Sequence, residues 1–187
     1  MSRISSMCVP MMLILFVGYA LYKKVNVYDA FIEGAREAGN EIRVAHVGNA
    51  KINGCLGCEY CFTHGGECCQ KDDLQNFYGD LEWADTVVYA FPLYYYSYPA
   101  QVKAFMDRQF CAIGGRKFAM KRTALLMPFE DKDITTADGL VKSFEIAMNY
   151  SHQEILGIVL CNNSYEKGAV NGKPAIEECR KLGASIK

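Results

Sequence analysis

Five strand-length segments, separated by stretches with helical periodicity, constrain the architecture of this chain more than any other feature. Met11–Val17 (MMLILFV) and Thr86–Phe91 (TVVYAF) are continuous apolar runs, the pattern of strands buried on both faces. Glu41–Val47, Arg122–Met127 and Ile155–Leu160 supply three more strand candidates. Between them lie helical stripes. Val27, Ala30, Phe31, Gly34, Ala35 and Ala38 mark a helix over Asn26–Ala38, stopped by Gly39. Asp72 or Asp73 caps a short helix from Leu74, with Gln75 as capping-box partner of Asp72. Pro99 suits the first turn of a helix carrying Val102, Phe105, Met106 and Phe110 on one face. Ala137–Tyr150 and Pro174–Leu182 complete the set. Such alternation predicts a three-layer α/β sandwich with parallel strands and right-handed crossovers. Sheets of this kind bind ligands beyond the carboxyl ends of their strands. The loops expected there are Gly18–Asn26, Pro92–Tyr98 and Pro128–Thr135, with the loop Gly48–Lys71 leaving the same end.

The 187 residues suit one domain, with residues 1–10 as a leader. At 51% hydrophobic and 22% charged the chain is globular. A formal net charge of −1 gives no electrostatic case for nucleic acid. Near the N-terminus, Arg3, the apolar run Met7–Leu21 and Lys23-Lys24 resemble a signal peptide or short anchor. The run is short for a membrane span and Pro10 interrupts it, so it reads as the buried first strand, with no membrane partner. Of nine cysteines, Cys8, Cys111, Cys161 and Cys179 lie in apolar or helical contexts, as small core residues do. The rest are clustered, unlike a secreted disulfide framework. That distribution points to a reducing, cytoplasmic compartment.

The clustered thiols read Cys55-x-x-Cys58-x-x-Cys61-x6-Cys68, followed by Cys69. Three thiols at steps of three residues can converge within one loop, a geometry that can hold an iron–sulfur cluster and, less readily, zinc. A structural zinc site would usually split into two separated CxxC pairs. The gap of six departs from the ferredoxin run, which places its fourth cysteine three residues on and follows it with proline. Loop packing, redox sensing and a dimer contact remain open as other uses of these thiols. His64 stands within the loop as a further metal ligand or a hydrogen-bond donor to sulfur.

Four blocks, Ala30–Ile42, Ile52–Gln75, Ala84–Arg108 and Glu166–Ile186, give the chain a wider likeness. It resembles the flavodoxin-like NAD(P)H-dependent FMN reductases, including the iron–sulfur flavoproteins. The resemblance implies a five-stranded parallel sheet of order 2-1-3-4-5. It implies FMN, with Pro92, Leu93, Tyr94, Tyr95, Tyr96 and Ser97 lining the flavin ring. An aromatic surface or dimer patch is the other reading of those tyrosines. The family's phosphate loop is of the Gly-Ser-Pro-Arg…Gly-Asn-Thr type. Here Gly18 and Asn26 remain, while Tyr19, Val25 and Val27 replace serine, glycine and threonine, and Lys23 and Lys24 offer compensating charge. In the iron–sulfur members Cys55, Cys58, Cys61 and Cys68 would ligate a 4Fe-4S cluster. Three functions follow as expectations. The first is an FMN-dependent reductase taking electrons from NAD(P)H to a quinone, flavin or other small acceptor. The second is an iron–sulfur flavoprotein exchanging electrons with a redox protein, and the third a non-catalytic dimer of the same fold. A homodimer is expected in each.

Overall fold

A computed structural model of the chain describes residues 10–15 and 26–186. The expected loop residues Gly18, Tyr19, Lys23, Lys24 and Val25, the end of the first predicted strand (Phe16, Val17) and Cys8 lie outside the described residues. The strands are β1 (Pro10–Leu15), β2 (Glu41–His46), β3 (Thr86–Ala90), β4 (Arg122–Pro128) and β5 (Glu154–Cys161). They pair in parallel, in the order β2-β1-β3-β4-β5. The helices are α1 (Asn26–Glu37), α2 (Tyr60–Thr63), α3 (Gln75–Trp83), α4 (Ala100–Arg108), α5 (Asp138–Tyr150) and α6 (Pro174–Ser185).

The pleat of the central strands explains the three layers. Val87, Tyr89, Leu125 and Met127 face one way, onto Leu81, Phe105 and Phe144 of α3, α4 and α5. Val88, Ala90, Ala124 and Leu126 face the other, onto Phe31, Ala35, Ala175 and Cys179 of α1 and α6. Every residue of β3 is buried, as its unbroken apolar run requires. Cys111, Cys161 and Cys179 are buried thiols of these layers.

Helix ends follow local chemistry. Gly39 takes φ +87, and Asn40 N donates to the Ala35 carbonyl while Gly39 N donates to that of Arg36. This is a Schellman turn, which glycine at that position permits. Before α3, Leu74 N donates to Asp72 Oδ1 and Asp72 N donates to Gln75 Oε1, the reciprocal pattern of a capping box. Pro99 precedes α4 as its cap rather than standing in its first turn, with extended ψ 140. The expectation that Phe110 shares the inner face of α4 is wrong. α4 ends at Arg108, and a 3-10 turn over Gln109–Ala112 swings Phe110 outward against Phe62, ring centroids 5.7 Å apart.

Candidate functional site

Two neighbouring loops beyond the carboxyl ends of β3 and β4 enclose a trough of about 500 Å³. Its shape begins with a tight turn. Tyr94 N donates to the Ser97 carbonyl at 3.0 Å and Ser97 N returns to Tyr94 at 2.9 Å. Tyr95 and Tyr96 between them both have positive φ, 47 and 61, the backbone of a type I′ turn. Left-handed backbone at two non-glycine residues costs of order 1–3 kcal/mol each, a strain that clusters at functional sites. It raises Tyr95 and Tyr96 into the open, Tyr95 being 97% exposed. Leu93, Tyr95 and Tyr96 form one wall of the trough; Phe129, Glu130, Asp131, Lys132 and Thr136 form the rest. Pro92, Tyr94 and Ser97 shape the turn without lining the trough. An aromatic, concave wall of this size suits a flat heteroaromatic ring. Glu130 is exposed at its rim. Asn26 is the first residue of α1, and Val27, at the position where the family carries threonine, is a buried core residue.

The cysteine loop has a stitched neck. Lys51 N donates to Asp73 Oδ2 at 2.7 Å, Asn53 N to Asp72 Oδ2 at 3.1 Å, and Gln70 Nε2 to the Gly54 carbonyl at 2.9 Å. At its centre Arg108 Nη1 meets Asp72 Oδ2 at 2.7 Å, with side chains only 1% and 7% exposed. The same guanidinium donates to the carbonyls of Asn53 and Gln70, one on each strand of the neck. Asp72 therefore sits below the usual carboxylate range. Burial opposes this, but the hydrogen bonds from Arg108, Asn53 and Leu74 and the guanidinium charge outweigh it.

Beyond the neck, Cys55, Cys58, Cys61 and Cys68 all line one pocket, together with Cys69, Arg108, Phe110 and Cys111. Glycines let the loop close on the segment after α4. At Gly66, with φ +82, a Cβ would fall 2.0 Å from the Arg116 nitrogen, and at Gly114 one would fall 2.8 Å from the Cys61 backbone. Cys58 is held below the ordinary thiol value by the Tyr60 amide, the Cys69 thiol and the Arg108 charge. Cys61 is pushed up by burial and then by the charges of Cys68, Cys55 and Cys58. Cys58 Sγ and Cys69 Sγ approach to 3.4 Å. His64 takes neither of its expected roles. Its ring stacks on Tyr60 at 3.6 Å and its Nδ1 pairs with Thr63 Oγ1 and the Tyr60 carbonyl, outside the thiol pocket.

Four thiols around one pocket are a donor set that an iron–sulfur cluster could use. Among the described residues no three His, Cys, Asp or Glu side chains converge tightly enough to hold one metal ion. Four thiolates around zinc would have to meet at about 2.3 Å from one point. A cubane instead takes one thiolate at each of its irons, so its ligands surround a pocket.

The family model of NADPH-dependent FMN reductase matches residues 23–149. The chain belongs to that family. Curated relatives include an iron–sulfur flavoprotein of Archaeoglobus fulgidus, 39% identical over 80 residues that cover 43% of this chain and 36% of the relative. Another, from Methanosarcina thermophila, is 27% identical over 82% of this chain and 77% of its own length. The first of these alignments thus spans little more than a third of the relative. Among solved structures, an NAD(P)H:quinone oxidoreductase from Methanothermobacter marburgensis superposes with TM-score 0.73 at 15% identity, covering 96% of this chain and 99% of that one. An archaeal flavodoxin superposes with TM-score 0.55 at 12% identity, over 95% of each chain. The fold of this family member is flavodoxin-like. No helix among its described residues is long and apolar enough to cross a membrane.

Sequence reasoning did not place Arg108 or Cys111 in the thiol pocket. Asp107-Arg108 reads from the sequence as one structural pair at a helix end, yet Asp107 pairs with Lys103 and Arg108 with Asp72. Cys111 reads from the sequence as a small core residue, and nothing local places it beside the cysteine loop. The signal that existed was Asp72-Asp73, three residues after Cys69, two carboxylates where a helix cap needs one.

Proposed function

We propose that this chain is a cytoplasmic, single-domain iron–sulfur flavoprotein. Cys55, Cys58, Cys61 and Cys68 would hold a 4Fe-4S cluster, and the trough behind the tyrosine turn would hold the ring of FMN. Residues 1–187 form one unit with sheet order 2-1-3-4-5 in this reading. The observation that carries it is the gathering of all four thiols around one pocket braced by a buried Arg108–Asp72 pair. The iron–sulfur flavoproteins among its relatives support it.

Bound together, the two groups supply conversion between one-electron and two-electron transfer. The protein's part is placement. Leu93, Tyr95, Tyr96 and Phe129, which line the trough, would wall the ring and exclude water from one side. Backbone amides of the tyrosine turn would offer hydrogen bonds to the ring's polar edge, where such bonds tune a flavin. Asn26, with Gly18, Lys23 and Lys24, would bind the phosphate at the start of α1. Arg108 and Asp72 keep the neck closed so that the thiols stay in register. A one-electron redox protein is the partner this arrangement fits.

A second reading, NAD(P)H-dependent reduction of a quinone, flavin or other small acceptor in a homodimer, is favoured by the family match. Anaerobic purification separates them. Flavin bands with a broad shoulder near the visible blue and about four irons per chain support the cluster reading. Flavin bands without iron, even after reconstitution with iron and sulfide, leave the reductase. A colourless protein that takes up neither group contradicts both.

A further inference from the structure

Four of the five N–H groups of Arg108 are committed. Nη1 donates to the Asn53 carbonyl at 3.0 Å and to Asp72 Oδ2 at 2.7 Å. Nη2 donates to the Gln70 carbonyl at 3.4 Å and to Asp72 Oδ1 at 3.3 Å. A guanidinium carries its five donors in a rigid planar fork, so Nε–H alone is left and cannot turn elsewhere. Arg108 is 2% exposed, and among the described residues its buried Nε has no acceptor. Native proteins rarely leave such a donor empty without a reason.

The same side chain lines the pocket of the four thiols. The Cys68 side chain interacts with the same guanidinium, through charge and hydrogen bonding, while the buried Nε–H has no acceptor among the described residues. A thiol is a weak acceptor, whereas a sulfur that carries negative charge accepts strongly. We propose that Arg108 is a positioning residue of the cluster site, donating its Nε–H to the Cys68 sulfur or to the sulfide beside it. The assignment rests on the cluster reading above. Asp72 neutralises most of the guanidinium charge, so the influence on the cluster comes through this hydrogen bond. Donation to sulfur favours the more negative, reduced form and raises the potential.

The test uses iron-loaded wild type and Arg108→Lys, which keeps the charge and removes the fork. In the loaded variant the cluster's reduction equilibrium shifts about tenfold toward the oxidised form, a fall of about 59 mV for one electron. In wild type grown with 15Nε-arginine, pulsed EPR of the reduced cluster shows a 15N coupling, and the variant loses it. A purely structural role would lower thermal stability and iron retention without moving the potential of the loaded fraction. An unchanged potential, or no 15N coupling in wild type, overturns the proposal. If the variant retains no iron, the wild-type coupling decides alone. Wild type that takes up no iron overturns the cluster reading and this proposal together, and the iron assay tells that failure apart.

Discussion

Asp72 is the residue that ties the cysteine loop to the body of the protein. It caps α3, accepts from the Asn53 amide and pairs with Arg108 in a site closed to solvent. Removing one partner of a buried ion pair strands the other, so Asp72→Asn is expected to cost about 3 kcal/mol in denaturant unfolding. The pH dependence has a definite sign. Asp72 titrates below the ordinary carboxylate value, so its contribution is complete above the unfolded value of about 3.9 and is lost as pH falls through the lower folded value. In cluster-free protein, protease cutting in the 54–70 loop should therefore rise below about pH 4 in wild type, and Asp72→Asn should be cut readily at neutral pH too. The ligand set makes a separate prediction. Cys68→Ser should lose most bound iron after reconstitution, while Cys69→Ser keeps about four irons per chain. The reverse result would move the fourth ligand by one residue.

At the scale of elements, close backbone contacts define where side chains are forbidden. α1 and α6 touch through glycine. A Cβ on Gly183 would fall 2.2 Å from the Phe31 carbonyl oxygen, and one on Gly34 would fall 2.1 Å from that of Arg180. Backbone cannot yield as a side chain can, so Gly183→Ala is expected to destabilise by about 1–3 kcal/mol, read as a lower denaturant midpoint. Gly66→Ala strikes the cysteine loop instead, through both its φ of +82 and its contact with Arg116. Helices and strands of this chain were legible because their signals are local. An apolar run marked β3, Gly39 closed α1, and the Asp72–Gln75 pair opened α3. The end of α4 was not legible, because Phe110 continues the apolar stripe and only tertiary contact with Phe62 draws it outward. The partner of Arg108 was not legible for the same reason, since it lies 36 residues earlier in the chain.

Across the whole molecule, the candidate sites were legible in unequal degree. Cysteine spacing announced one pocket, and the tyrosine run announced the trough, but which tyrosines line it depends on a turn whose two left-handed residues carry no sequence mark. The exposed Tyr95 and Tyr96 suit a second copy of the chain as cover, and sedimentation of the holoprotein should give twice the 20.9 kDa chain mass. Val25→Gly, restoring the family's glycine before α1, should tighten FMN binding about tenfold, or about 1.4 kcal/mol, in a fluorescence titration. Restoring threonine at Val27 would instead place a hydroxyl in the core beneath α1. The central claim, two redox groups on one chain, is tested most directly by an anaerobic reductive titration of the flavin-loaded, iron-loaded protein. The account predicts uptake of about three electrons per chain, two at the flavin and one at the cluster. Uptake of about two electrons, with all absorbance change in the flavin bands, would contradict it.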